Sequence, residues 1–175
     1  MAEPLPEPLL KVTGLTIDLV RDGKRAPVLE DVSLGLEERA VLGIVGESGS
    51  GKTVLAKALV GWVGEPLAVA GGSVHFRGQD LLAMPAEARR LLRGSAVGYI
   101  GADPGNSFDP TYPVGIQIVE KVRAVRPEVT AADAKRRVLE LLDLVHIPSA
   151  RRRFDEFPHQ YSGGMLQRAM IVDAL

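Results

Sequence analysis

Residues Gly46 to Thr53 read GESGSGKT, three glycines with a lysine and a threonine in the spacing GxxxxGKT. A bound polyphosphate requires this set. Main-chain N–H groups must reach its oxygens with no Cβ in the way, a mobile cation must offset its charge, and a small hydroxyl must face the metal that accompanies it. Gly46, Gly49 and Gly51 let the chain wrap tightly, so that the N–H groups of the stretch, including those of Glu47, Ser48 and Ser50, turn toward the α- and β-phosphates. A helix starting near Lys52 adds its positive end. Lys52 is placed to reach the β- and γ-phosphates, and the Thr53 hydroxyl is the expected protein ligand of Mg²⁺, a hard ion that prefers oxygen. The competing reading is a glycine-rich turn between two pieces of core. Context favours the phosphate loop: Ala40 to Val45 is predicted as a short buried strand, and Leu55, Ala58, Leu59 and Trp62 recur at helical spacing after it.

A second glycine turn lies more than a hundred residues further on, in PHQYSGGMLQRAMIVDAL from Pro158 to Leu175. Ser162, Gly163 and Gly164 open an amphipathic helix there. By itself this turn is either a plain N-cap at Ser162 or another helix N-terminus able to face a phosphate. Leu166, Ala169, Met170 and Asp173 fall on one continuous helix, so Asp173 is not expected to end a strand.

The elements that must hold these turns are legible in outline. LLKVTGLTIDLV and VLEDVSLGL alternate apolar and polar residues around RDGKRAP, whose Asp-Gly pair favours a hairpin. Gly61 to Gly72 reads as a loop, GGSVHFRGQDLL as a short strand and turn, Ala86 to Arg93 as a helix and Ala96 to Ile100 as another short strand. GADPGNSFDPTYP then forms a thirteen-residue loop, and nearly everything beyond it is helical. Thr130 and Asp133 mark a helix start, with Val138, Leu141, Leu142 and Val145 as its apolar stripe. RRRF, Arg151 to Phe154, is expected to be a solvated turn or a basic cluster that touches a partner. The fold class is α/β, with residues 1–100 as a nucleotide-binding core and β subdomain and residues 101–175 as a helical part.

Composition excludes several function classes. The 175 residues are 46% hydrophobic, enough for a sizeable core, and the net charge of −1 argues against a nucleic-acid partner. With no cysteine there is no disulfide framework, thiolate metal site or cysteine nucleophile. MAEPLPEPLLK carries acids and prolines where a signal peptide carries basic residues, so secretion is not expected. No run approaches the roughly 20 apolar residues that span a bilayer, so membrane association is expected through a partner rather than by insertion. The sole asparagine, Asn106, precedes Ser, which removes the guanine-reading NKxD of GTPases.

Together, GESGSGKT, DPGNSFDPTYPVGIQI and FPHQYSGGMLQR resemble the ATP-binding cassette (ABC) transporter ATPases over essentially the whole chain. The likeness is to the branch that imports oligopeptides, dipeptides or nickel. It implies a P-loop ATPase core with an antiparallel β subdomain and a helical subdomain. It also implies ATP and Mg²⁺ at Gly46 to Thr53, and a signature at Ser162, Gly163 and Gly164 that meets the γ-phosphate held by the opposite subunit of a head-to-tail homo- or heterodimer. The implied partners are that second ATPase subunit and transmembrane permease subunits, and the implied location is the cytoplasmic face of the cell membrane.

Three departures from the family pattern accompany the likeness. Where the family has a glutamine for Mg²⁺ and the attacking water, YIGADP has Ala102, whose methyl group can neither ligate a metal nor orient water. Where an aromatic residue stacks on adenine, LTIDLV has Leu19. The Walker B aspartate, the catalytic glutamate and the switch histidine are expected beyond Leu175, because His146 and His159 both precede the signature. No catalytic base is therefore assigned within these residues, and ATP turnover is expected of the intact protein rather than of this stretch alone. The alternative is a nucleotide-binding or interaction module that never hydrolyses ATP and lends its signature to another subunit.

Overall fold

The computed structural model describes residues 7–175. The reading of MAEPLP as a non-secretory N-terminus falls on residues 1–6 and lies outside them. The chain divides into two units, one ending at Arg90 and the other running from Leu91 to Leu175. This division falls ten residues before the boundary expected after residue 100.

In the first unit, β1 (Leu10–Arg21) and β2 (Lys24–Leu36) form a hairpin. Asp22 and Gly23 both take positive φ, 51° and 73°, the conformation a tight two-residue hairpin turn demands. β3 (Leu67–Phe76) and β4 (Gln79–Asp80) complete an antiparallel sheet in the order β2-β1-β3-β4. Leu10 and Val12 are buried, and so are Leu15 and Ile17, so the buried parity along β1 switches at Gly14. There the register with β2 shifts and Gly14 takes φ +58, a bulge that keeps both apolar sets on the core face. Gly72 of β3 approaches so closely that a Cβ on it would lie 2.4 Å from the Gly14 carbonyl oxygen.

Three expectations for this unit are corrected. The segment expected as a loop from Gly61 to Gly72 is strand from Leu67 onward, because it pairs with β1 through Leu67 opposite Leu19. Ala40 to Val45 is neither a strand nor buried: Val41 is 97% and Val45 94% exposed. A strand needs neighbours that take up its N–H and C=O groups, and the sheet of described strands closes without this segment. Trp62 lies beyond the end of α1 (Lys52–Leu59), exposed, with Lys57 Nζ 5.4 Å from its ring, while Leu55 and Ala58 are buried as expected.

α2 (Ala86–Ser95) spans the division between the units, close to its expected limits. In the second unit Ala96 to Ile100 also forms no strand, and Ile100 is exposed for the same want of a neighbouring strand. The thirteen-residue loop is present, without regular structure from 101 to 113. After it come α3 (Val114–Val125), α4 (Ala131–Leu144), α5 (Ala150–Phe154) and α6 (Gly163–Ala174). Thr130 caps α4 by accepting from Asp133 N at 3.1 Å, and its own hydroxyl donates to the Asp133 carboxylate at 2.7 Å. That bond, with Arg136 beside it, holds the Asp133 carboxyl below its ordinary range.

RRRF is a short helix rather than a solvated turn. Phe154 is fully buried against α3, where only a glycine fits opposite it: a Cβ on Gly115 would sit 2.3 Å from the Phe154 ring. The Lys135 ammonium lies 4.6 Å from the centre of that ring. The core of this unit is built from Phe108, Ile118, Val138, Leu142, Ile147, Phe154, Met165 and Ala169.

Candidate functional site

β2 and α1 fix the Gly46–Thr53 loop between them. Gly51 takes φ +86 at the N-cap of α1, and a Cβ there would lie 2.7 Å from Leu29 Cδ2 and 3.1 Å from the Val28 carbonyl oxygen. The loop is thus pressed onto β2 at the one residue type that allows it. Leu55 N donates to Gly51 O at 2.8 Å, the first bond of the helix, and Ser50 N donates to Glu47 O at 3.2 Å. Gly49 takes φ +85, which turns the chain between these bonds. A Cβ on Gly46 would meet Ser50 Oγ at 2.8 Å, so a side chain at this end of the loop would displace the Ser50 hydroxyl.

Lys52 bends back over that concavity. Its Nζ donates to Gly46 O at 2.8 Å, to Glu47 O, and to Ser50 Oγ at 3.3 Å. An ammonium is therefore held by the carbonyls of Gly46 and Glu47 inside the glycine turn, next to the N-terminus of α1. Ser48 is exposed on the same loop, and the exposed Thr53 lies in the first turn of α1, next to Lys52. Among the described residues no group of three or more His, Cys, Asp or Glu could hold a metal ion. The exposed Thr53 hydroxyl is an oxygen donor of the kind that Mg²⁺, a hard ion, prefers.

The second turn lies in the second unit. Ser162 adopts extended backbone, φ −73 and ψ 159, and its Oγ accepts from Met165 N at 3.3 Å while its carbonyl accepts from Leu166 N at 2.9 Å. It is an N-cap, as its residue type allows. Gly163 and Gly164 are exposed, and Cβ atoms built on them meet nothing within 4 Å. The start of α6 thus offers bare N–H groups and a positive helix end to an incoming group. Asp173 lies on α6, as its spacing predicts, and pairs with Lys121 of α3 at 2.6 Å.

Several residues that support these turns carried no signal in the sequence. Gln117 clamps the far end of the thirteen-residue loop: its Nε2 donates to Asp109 O at 2.9 Å and to Tyr112 O at 2.8 Å, and its Oε1 accepts from Asp109 N at 2.8 Å. At the near end, Asp103 accepts from Gly105 N at 3.1 Å and from Asn106 Nδ2 at 2.7 Å, next to an exposed Ala102. Thr111 donates its hydroxyl and its N–H to Asp109 and holds that carboxyl below its usual range. Tyr161, just before the signature turn, donates its hydroxyl to Arg153 O at 2.6 Å. Burial pushes its phenol up to about 12, the Glu156 charge adds to this, and Arg153 opposes it. Such pairings each have an end in irregular chain, where no helical or strand period marks them in the sequence. His146 and His159 are both exposed, the latter stacked on Phe157 at 5.8 Å, in keeping with their reading as surface or turn residues.

Comparison with known proteins adds the following. The family described as ABC transporter matches residues 29–175. The dipeptide transport ATP-binding protein DppD of Haemophilus influenzae is 43% identical over 169 residues, 95% of this chain and 50% of that protein. The oligopeptide transport ATP-binding protein OppD of Mycobacterium tuberculosis is 41% identical over 168 residues, 96% of this chain and 27% of that protein. The chain spans about half the length, or less, of the curated relatives it matches. In fold it is similar to the ATP-binding cassette MJ0796, solved as a dimer in a post-hydrolysis state with ADP and Pi. That likeness has a TM-score of 0.83 at 20% identity and covers 95% of this chain and 68% of that one.

Proposed function

The chain belongs to the ABC transporter family, and on that footing we propose that it is part of the ATP-binding subunit of an importer. It couples binding and hydrolysis of ATP to uptake of peptides or a related small solute. The observation that carries this reading is Lys52, held over a concave glycine loop by Gly46 O and Ser50 Oγ. The importer assignment draws on relatives named for dipeptide and oligopeptide transport.

In this mechanism Gly46, Glu47, Ser48, Gly49, Ser50 and Gly51 wrap the α- and β-phosphates with backbone N–H groups. Lys52 exchanges its carbonyl acceptors for β- and γ-phosphate oxygens. Mg²⁺ would be held by Thr53 and would neutralise charge on the β- and γ-phosphates. Ser162, Gly163 and Gly164 act on a nucleotide bound by a second ATPase subunit, the positive end of α6 facing its γ-phosphate. Closure of the two subunits on ATP and their reopening after hydrolysis drive transmembrane permease subunits. Among the described residues no helix is long and apolar enough to cross a membrane, which suits a subunit docked on the cytoplasmic face of such a permease. The test is uptake of labelled peptides into vesicles holding the assembled transporter. ATP-dependent accumulation that Lys52→Ala abolishes supports the reading, and uptake indifferent to ATP refutes it.

One residue favours a second reading, a subunit that binds ATP and lends its signature without hydrolysing its own nucleotide. Ala102 offers no group to ligate Mg²⁺ or orient water. Site-resolved turnover in the assembled pair separates the two: hydrolysis at the site bearing Lys52 favours the first, and trapping of unhydrolysed ATP there favours the second.

A further inference from the structure

The segment between α5 and the signature turn is tied to the start of α3 by bonds that converge on two residues, Arg153 and Glu156. Val114 N, the first N–H of α3 after the thirteen-residue loop, donates to Glu156 O at 3.0 Å. At the next residue the missing side chain of Gly115 admits the Phe154 ring, so α3 and α5 touch with no room to slide. The Glu156 carboxylate, largely buried, accepts from Arg152 Nε at 3.1 Å and from Arg153 Nη1. Arg153 then reaches forward: Nη1 also donates to Gln160 O at 3.2 Å, and Arg153 O accepts the Tyr161 hydroxyl at 2.6 Å. Gln160 closes the turn by accepting from Phe157 N at 2.8 Å through its side chain. Both residues that immediately precede Ser162 are therefore bonded to Arg153. Cβ atoms built on Gly163 and Gly164, just after Ser162, meet nothing within 4 Å.

We propose that Arg153 is a positioning residue for the signature: held by Glu156, it fixes Gln160 and Tyr161 and so aims the Ser162–Gly164 turn at the γ-phosphate of a nucleotide on another chain. The inference rests on the shared-site reading above and adds the residue that sets its geometry. A helix N-terminus aimed at a phosphate acts through direction and distance, and small displacements from the productive pose are costly. Met165 and Leu166 anchor α6 in the core behind the turn, whereas the two glycines add no packing of their own, so the chain entering at Gln160 and Tyr161 is the other constraint on its direction. A planar guanidinium with several donors in fixed directions serves Glu156 and Gln160 together, whereas an ammonium makes these bonds as a flexible point charge.

The experiment measures kcat and KM for ATP in the assembled transporter carrying Arg153→Ala, Arg153→Lys, Tyr161→Phe or Gly164→Asp. Each kcat is normalised to the protein that melts cooperatively at the wild-type temperature. Arg153→Ala is expected to lower kcat about tenfold with KM nearly unchanged, and Arg153→Lys to recover part of that loss. Tyr161→Phe keeps the ring in the core and deletes only the hydroxyl, and it is expected to lower kcat about threefold. If Arg153→Ala does not fold, Arg153→Met, which keeps the aliphatic stem and deletes the donors to Glu156 and Gln160, carries the test in its place, because the Tyr161 hydroxyl bonds the main chain of residue 153 whatever its side chain. Wild-type kcat in both Arg153→Ala and Tyr161→Phe, with turnover lost in Gly164→Asp, overturns this inference and leaves the shared site standing. Undiminished turnover in Gly164→Asp overturns the shared site itself.

Discussion

Lys52 Nζ lies 2.8 Å from the carbonyl oxygen of Gly46, six residues earlier, so the cation of the phosphate loop is anchored by the loop's own first residue. The same ammonium touches Glu47 O and Ser50 Oγ. An anion that enters the concavity competes with neutral acceptors for a charged donor, and it wins because Coulomb attraction between two ions adds to the hydrogen bond.

Lys52→Ala removes the donor while leaving the glycine turn and α1 in place. Affinity for ATP with Mg²⁺ should fall by roughly tenfold to a hundredfold, the worth of one or two bonds to a charged group. Titration calorimetry on folded samples checks this. Equal affinities would remove Lys52 from the site.

Gly115→Ala should destabilise the second unit by about 1–3 kcal/mol, the usual cost of overpacking a filled core. The added methyl would sit 2.3 Å from Phe154 Cδ2, against a ring with no free space around it. A lower urea midpoint with unchanged slope is the expected result. An unshifted midpoint would mean that α3 and α5 separate at little cost.

Tyr161 supplies a dependence on pH. Its phenol is protonated in both folded and unfolded chains below its ordinary value near 10, and burial keeps it protonated in the folded chain up to about 12. As pH rises from 10 to 12 the unfolded chain loses this proton first, so stability is lost across that window, by on the order of 1 to 2 kcal/mol once solvent screening is allowed for. Unfolding of the wild type compared with Tyr161→Phe isolates the effect, since the variant lacks the proton. Parallel stability curves for the two between pH 10 and 12 would contradict it.

Exposure of Val41, Leu42, Ile44 and Val45 predicts association of the 175-residue chain in isolation. Sedimentation should show mass rising with concentration in the micromolar range. Val41→Thr with Val45→Thr, which keeps β-branched shape and adds hydroxyls, should lower that tendency. A monomer at all concentrations would show that this apolar run needs no cover.

What was legible in the sequence depended on local chemistry. Asp22-Gly23 announced a hairpin because few other pairs accept positive φ at both positions, and Thr130 and Ser162 announced helix starts because their hydroxyls cap at short range. The tight turn within GESGSGKT was legible for the same reason, since Gly49 and Gly51 do take positive φ. Ala40 to Val45 misled because a run of apolar, β-branched residues states a preference for a strand without supplying the neighbour that completes one. RRRF misled in the opposite direction: three arginines suggested solvent, while Phe154 found its place only through Gly115, some forty residues earlier. Arg153 and Tyr161 were silent for a similar reason, because their roles rest on a hydroxyl meeting a carbonyl eight residues away.

The central claim is that Ser162, Gly163 and Gly164 work on a nucleotide held by another chain, and Gly164→Asp tests it most directly. A carboxylate at the exposed start of α6 would face the γ-phosphate with like charge and added bulk. The open space around Gly164 means that the substitution itself should fold. Measured side by side in the isolated subunit and in vesicles holding the assembled transporter, the variant should bind ATP with nearly wild-type affinity and carry no solute. Loss of ATP binding by the isolated, folded subunit, or transport at the wild-type rate, would contradict the account.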